Sequence, residues 1–317
     1  MKKVYYSNGK LLLSGEYAIL DGAMGLALPT SFGQSLIVSP NNSPELHWES
    51  IDDKAKLWYS LTLNMAVFSA DELMHNQGHY FKTKGDTIGA ILLQILGEAK
   101  KLNPHFLQNE GYKVSTVLDF PKDWGLGSSS TLINNIASWA GVDPFLLSIN
   151  TLGGSGYDIA CAGSNLPITY RLENETPKVE KVDFDPPFKN KLFFVYLNQK
   201  QNSREGIKTY RNRLKNTHSL ITNVDQITNS LLSCRELSLF ESLLQEHELL
   251  IASVLQTKPV KEKLFKDYQG VVKSLGAWGG DFLLATGSEA YLKRYFNNKG
   301  YKTILPYSEM ILQKNLS

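Results

Sequence analysis

The sequence predicts a mixed helix-and-strand protein built as two domains. Three observations carry that reading. The 317 residues exceed what one small core organises and suit two domains. Short strand-like apolar runs alternate with stretches of helical spacing. Prolines at 177, 186 and 187 mark the stretch from Glu173 to Asn190 as a join. The expected division is therefore residues 1–180 and 181–317.

The elements follow in order. Leu11-Leu12-Leu13 running into Ser14-Gly15-Glu16 reads as a buried strand entering a polar turn. Leu36 to Val38 and Leu57 to Leu63 offer further strands. Ile88, Ile91, Leu92, Ile95, Leu96, Ala99 and Leu102 recur at helical spacing, and Asn103-Pro104 stops that helix. Val114 to Phe120 reads as a strand, and from Ser128 onward Leu132, Ile133, Ile136 and Ala137 form another helix. Asp143-Pro144 supplies an N-cap and a first-turn proline for the next helix. Ile168 to Leu172 and Leu192 to Leu197 are strands, and helical patterns then dominate to about Leu275. Phe282 to Thr286 (strand), Ser288 to Phe296 (helix) and Tyr301 to Leu305 (strand) close the chain.

Composition narrows the function classes. Apolar residues make up 42% and charged residues 20%, ordinary for a globular protein. A net charge of +2 gives no global field for nucleic acid or an anionic membrane surface. The aromatic residues show no periodic pattern for base stacking. Cys161 and Cys234 make neither a disulfide framework nor a metal pair, and each reads as a buried thiol. His75 and His79 lie four apart without a carboxylate partner, which is not a zinc signature. The first residues develop no apolar signal core, and runs such as Ala90 to Leu96 are too short to span a bilayer. The expectation is a cytoplasmic protein, monomer or homodimer, that handles a small molecule.

One segment carries candidate chemistry by itself: Gly125-Leu126-Gly127-Ser128-Ser129-Ser130, between a strand and a helix. Glycines let a backbone approach an anion closely, and the helix aims free N–H groups and its positive end at the same point. Serine hydroxyls add donors, and one can reach a magnesium ion bridging phosphates. A plain capped turn would also use these residues, since serines cap helices well. No Gly-Lys-Ser/Thr closes the loop, so it is not a Walker loop.

Two further glycine segments change the balance. One is Gly9-Lys10-Leu11-Leu12-Leu13-Ser14-Gly15-Glu16-Tyr17-Ala18-Ile19-Leu20. The other is Lys273-Ser274-Leu275-Gly276-Ala277-Trp278-Gly279-Gly280-Asp281-Phe282. The ordered trio resembles the three motifs of the GHMP kinases, and the likeness covers nearly the whole chain. The mevalonate-pathway members look nearest, phosphomevalonate kinase especially. Tyr17 stands where many mevalonate kinases carry His, and Gly154-Ser155-Gly156-Tyr157-Asp158 is similar to the segment that brings an acidic residue to the reacting group.

The resemblance implies an α+β fold of two domains, the first like ribosomal protein S5 and the second ferredoxin-like. It implies ATP and Mg2+ as cofactors, and transfer of a phosphoryl group to a small acid-bearing acceptor, with phosphomevalonate kinase or mevalonate kinase as the expected activity. The alternatives are a diphosphomevalonate decarboxylase and a nucleotide-binding member without catalysis. By the same resemblance, Gly125, Leu126, Gly127, Ser128, Ser129 and Ser130 hold ATP, and Ser129 also holds the metal. Asp158 and Lys10 are catalytic. Glu16, Tyr17, Gly276, Ala277, Gly279 and Gly280 face the acceptor. Lys200, Ser203 and Arg204 follow a strand and start a helix, where they could clamp an anion. Two departures stand out. Trp278 replaces the usual glycine, and no Glu lies between Ser130 and Asp158, where many members keep a magnesium ligand.

Overall fold

The computed structural model describes residues 1–65, 87–108, 111–200, 203–213, 217–278 and 280–313. His75, His79 and Gly279 lie outside these, as do the side chains of Ser203 and Arg204. The chain is a mixed α+β protein that divides into two compact units, each drawn from several stretches of sequence.

The first unit comprises residues 1–9, 33–122 and 127–163. Its strands are β1 (Lys3–Ser14, through Gly9), β2 (Gly25–Asn41, from Gly33), β3 (Glu45–Ile51), β4 (Leu57–Asn64) and β5 (Gly111–Leu118). They run β4-β3-β5-β2, with β1 against β2, and β3 and β5 pair in parallel. Along β3 the buried residues alternate as Leu46, Trp48 and Ser50, the period of two that a half-buried strand requires. Helix α1 (Thr87–Leu102) presses Leu92, Leu93 and Leu96 into the core with Trp48 and Leu63. It stops at Asn103 as expected, whose amide donates to the Ala140 carbonyl at 2.6 Å. Helices α2 (Ser128–Ala140), α3 (Pro144–Thr151) and α4 (Tyr157–Ala162) complete the unit. Asp143 caps α3 as its sequence suggests, accepting from the N–H groups of Phe145 (2.7 Å) and Leu146 (3.3 Å).

The second unit comprises residues 10–32, 123–126 and 164–317. Here Gly25 to Ala27 of β2 pair with β6 (Ile168–Glu173), and β6 with β7 (Thr176–Lys181). A second, antiparallel sheet runs β11-β8-β10-β9, made of β8 (Leu192–Tyr196), β9 (Val272–Ser274), β10 (Phe282–Thr286) and β11 (Ile304–Pro306). Helices α5 (Ser203–Arg213), α6 (Thr217–Ser233), α7 (Leu237–Val254), α8 (Val260–Leu264), α9 (Glu289–Asn298) and α10 (Tyr307–Met310) accompany these strands. One core gathers Phe193, Val195, Phe265, Leu283 and Phe296. Another gathers Tyr17, Tyr210, Leu220, Val224, Ile251 and Trp278.

Three sequence expectations need correction. The join expected between Glu173 and Asn190 holds a β-hairpin for most of its first half. Asn174 and Glu175 turn with φ of 50° and 63°, the positive pair that a two-residue hairpin turn uses. Pro177 sits there without harm because β7 is an edge strand, where a missing N–H leaves no neighbour unbonded. The helical stretch also ends earlier than Leu275, since Val272 to Ser274 pair with β10. Finally, the two compact units do not divide at residue 180. Strands β1 and β2 each run on from one unit into the other, so the early sequence serves both.

The Asp143 cap supplies two of α3's otherwise unbonded N–H groups. Asp143→Ala should therefore lower unfolding free energy by about 1 kcal/mol, measured by urea denaturation with an unchanged m-value. An unaltered midpoint would show that the cap carries no stability.

Candidate active site

The Gly-Ser loop is a left-handed entry to α2. Gly125 has φ 69° and Gly127 has φ 90°, values that side-chain-bearing residues adopt only with strain. Leu126 between them is wholly buried and anchors the loop. Helix α2 then starts at Ser128 with no acidic residue in its first turn, which leaves its positive end uncompensated. The serines divide their tasks. Ser130 is buried and donates to the Gly127 carbonyl at 2.8 Å, so its hydroxyl holds the loop's shape. Ser129 is exposed and Ser128 half-buried.

Polar residues inside the first unit lock the start of α2. Thr131 donates to Gln34 at 2.7 Å, and Asn135 donates to the Gln34 backbone carbonyl at 2.8 Å. Ser7 donates to Asn135 at 2.8 Å and accepts from Asn134 at 2.9 Å. Sequence reasoning missed this group. Its trace was the pair Asn134-Asn135 interrupting an apolar helical pattern. Asp158 stands in the first turn of α4, after Gly156 at φ 86°, and accepts from the Ile159 N–H at 3.1 Å. It is half-buried.

In the second unit the three glycine segments meet. Lys10 donates its backbone N–H to the Leu126 carbonyl at 2.9 Å and its ammonium to the Gly125 carbonyl at 2.9 Å. A Cβ on Gly125 would fall on the Asp281 carboxylate, so glycine there makes room for the third segment. Asp281 itself takes φ 54° and its N–H donates to the Gln199 carbonyl at 2.8 Å. Trp124, just before the loop, packs edge-on against Phe282 at 5.3 Å, just after Asp281.

A cavity of about 460 Å³ opens in the same unit. Tyr17, Ala277 and Trp278 line it, which brings together two of the expected acceptor contacts and the residue that departs from the glycine pattern. Arg213, Lys258 and Lys263 stand exposed at its walls against one carboxylate, Glu205, so the cavity favours an anion. Tyr17 (φ 61°) stacks on Tyr210 at 5.5 Å and 21°. It approaches Gly206 so closely that a Cβ there would overlap the phenol oxygen. Neither Tyr210 nor Gly206 stood out in the sequence, since a tyrosine and a glycine in a helix have no signal of their own. Gly276 takes φ 63° in the turn after β9, and Gly280 is buried. Lys200 is exposed after β8.

Glu16 has a different place from the one expected. It is 1% exposed and bonded to the buried Lys273 ammonium, so it presents no surface to an acceptor. Beside it, the Nε2 of His247 lies 3.3 Å from Glu16 Oε2, an ion-pair distance. That nitrogen accepts the Gly15 N–H at 2.9 Å, however, and an accepting nitrogen carries no proton. His247 is therefore neutral, and burial together with Lys273 holds its pKa well below the usual imidazole value. Glu16 Oε2 is buried with no hydrogen-bond partner, the natural seat for a proton. Burial pushes the Glu16 carboxyl up to about 7, against the opposing pull of Lys273.

Comparison with known proteins gives a fold and no close relative. No protein-family model matches the sequence, and no curated protein matches it. Solved structures do match over nearly full length. The mevalonate kinase of Methanococcus jannaschii superposes with a TM-score of 0.69 at 16% identity, covering 96% of this chain and 97% of that one. Streptococcus pneumoniae phosphomevalonate kinase, in complex with phosphomevalonate and AMPPNP, gives 0.68 at 16%, covering 94% and 97%. Its fold is that of the GHMP kinases. Lactococcus lactis galactokinase, complexed with galactose, gives 0.70 at 12% identity and covers 98% and 95%. The GHMP fold thus spans acceptors as different as a sugar and a phosphorylated acid, and the fold by itself selects neither.

Because the folded-state pKa of Glu16 is raised, its contribution to stability is fully present below about 4.5 and is lost as pH rises through about 7. Glu16→Gln cannot ionise. Its melting temperature should therefore fall less than the parent's between pH 5 and 8. Parallel profiles for the two proteins would mean that Glu16 is ionised throughout.

Proposed function

We propose that this chain is an ATP-dependent kinase of a small acid-bearing acceptor, of the mevalonate kinase or phosphomevalonate kinase type. The observation that carries the reading is the left-handed Gly-Ser loop opening α2, with Lys10 fastened to its first half by two hydrogen bonds. The fold and the cationic cavity beside the third glycine segment support it.

The loop suits a triphosphate. Free N–H groups of the first turn of α2, the Ser128 and Ser129 hydroxyls and an uncompensated helix end all favour oxyanions. ATP would supply the γ-phosphoryl, and Ser129 is the residue that would help hold Mg2+, whose charge would offset that of the phosphates. Among the described residues no group of three or more His, Cys, Asp or Glu offers a separate metal cage. Acceptor binding falls to the cavity, where Tyr17, Ala277 and Trp278 give shape and Arg213, Lys258 and Lys263 give charge.

The transfer needs one bond to break, from the γ-phosphorus to the bridging oxygen of ADP. One bond forms, from that phosphorus to the acceptor oxygen. An alcohol acceptor must also lose a proton, and Asp158 is the base that takes it. A phosphate acceptor is already ionised, and Asp158 then only orients it. Lys10 offsets the negative charge that builds on the transferred group and the leaving oxygen. The acid-bearing end of the acceptor stays on the cationic wall throughout.

Incubating the purified protein with ATP, Mg2+ and either R-mevalonate or phosphomevalonate, and identifying products by mass spectrometry, tests the reading. Phosphorylation of one acceptor supports it. ATP hydrolysis without acceptor dependence, or loss of carbon dioxide from a diphosphorylated acid, would replace it. Gly127→Val should abolish nucleotide binding in calorimetry, because a β-branched residue is strained at φ 90° and fills the anion's place. Asp158→Asn should keep ATP affinity while slowing turnover by roughly 10²–10⁴ for an alcohol acceptor, and far less for a phosphate. Lys10→Met should slow both. Near-parent turnover in both variants would move the chemistry elsewhere.

A further inference from the structure

Helix α7 buries a stripe of Phe240, Leu244, His247, Glu248 and Ile251. A carboxylate in an apolar stripe is costly unless its oxygens are fully used. Glu248 is 3% exposed, and its oxygens are used in an unusual way. Oε1 accepts from the Val260 N–H at 3.1 Å and from the Ser274 hydroxyl at 2.9 Å, while Oε2 accepts from the Ser274 N–H at 2.9 Å. Val260 opens α8, and Ser274 closes β9, just before the turn at Gly276. Both residues line the cationic cavity.

We propose that Glu248 is a positioning residue for the acceptor cavity, a clip that fastens its α8 wall to its β9 wall from behind. The inference rests on the reading above that this cavity receives the acceptor.

The chemistry of the clip explains the residue type. All three groups it holds are donors, so the clip must be an acceptor at both ends. Glutamate provides this and glutamine does not, because in either orientation its amide turns an N–H toward one of the two backbone N–H groups, Ser274's or Val260's, and so breaks the clip. The Val260 N–H is the first of its helix and has no acceptor within α8, whose N-cap, Pro259, offers no side-chain bond. Its satisfaction therefore comes from a different element, twelve residues earlier. Lys273 completes the arrangement by donating to the Ser274 carbonyl at 2.9 Å while it bonds Glu16. The wall carrying Ser274 and, after the turn, Ala277 and Trp278 is thereby pinned on both backbone faces.

The test uses Glu248→Gln in the full chain, with two readouts. In kinetics, the KM for whichever of R-mevalonate or phosphomevalonate the parent phosphorylates should rise about tenfold, with the ATP KM within twofold, as expected for one misdirected buried hydrogen bond. Equal rises in both KM values, or none, would overturn the proposal in favour of a purely structural carboxylate. In amide exchange, Val260 and Ser274 should be protected in the parent and should lose protection together in the variant. Rapid exchange at Val260 in the parent overturns the proposal even if Glu248→Gln fails to fold. If the parent phosphorylates neither acceptor, the substrate reading fails, while joint loss of protection still supports the clip and unchanged protection refutes it.

Discussion

A lysine ammonium with no water around it must find both hydrogen-bond acceptors and a counter-charge inside the protein; Lys273 bonds Glu16 and the Ser274 carbonyl, and Glu248 nearby supplies the charge. Much of the second unit follows from the bond to Glu16. It ties the turn after β1 to strand β9 across more than 250 residues of sequence. With Glu248 also buried nearby, the two carboxyls, one ammonium and a neutral imidazole balance when a single proton is retained. Burial raises the pKa of both carboxyls, but Lys273 and the three hydrogen bonds that Glu248 accepts oppose the rise there, so the proton belongs on Glu16. Such a group contributes little net stability, because desolvation consumes most of the attraction.

The candidate site inherits its shape from this arrangement. Glu16 is followed directly by Tyr17 and Lys273 by Ser274, and both of those successors line the cavity. Polar residues that never touch a ligand thus decide where the cavity walls stand. The Gly-Ser loop depends on a separate device, in which the hydroxyls of Ser130 and Thr131 close on the Gly127 carbonyl. These bonds hold the loop's shape from within the protein itself.

The sequence made the regular elements legible wherever periodicity was strong. Helix α1, the strand-loop-helix unit around Gly127, the Asp143 cap and strand β10 all stand where spacing and punctuation put them. What stayed hidden depended on distant partners. The β6–β7 hairpin turns on Asn174-Glu175, which has no glycine to announce it, and β9 is only three residues long. At the site, the glycines and Lys10 stood out because they belong to contiguous motifs, although their partners, Gly125 with Lys10 and Asp281, lie far apart in sequence. Glu16 looked like a cleft residue because nothing near it in sequence reveals that Lys273 will cover it. His247 and Glu248 gave no signal of their own within a stretch that read only as helical.

The hairpin strand β7 has one more consequence. It ends the β2-β6-β7 order, so one row of its N–H and C=O groups faces outward, a template on which another chain could build. Its sequence, Thr-Pro-Lys-Val-Glu-Lys, discourages that extension. Pro177 deletes a donor, and Lys178, Glu180 and Lys181 keep charge and bound water along an edge where Val179 alone is a large apolar group. The residues that looked like a linker in the sequence thus make this exposed edge a poor template for pairing with a second sheet.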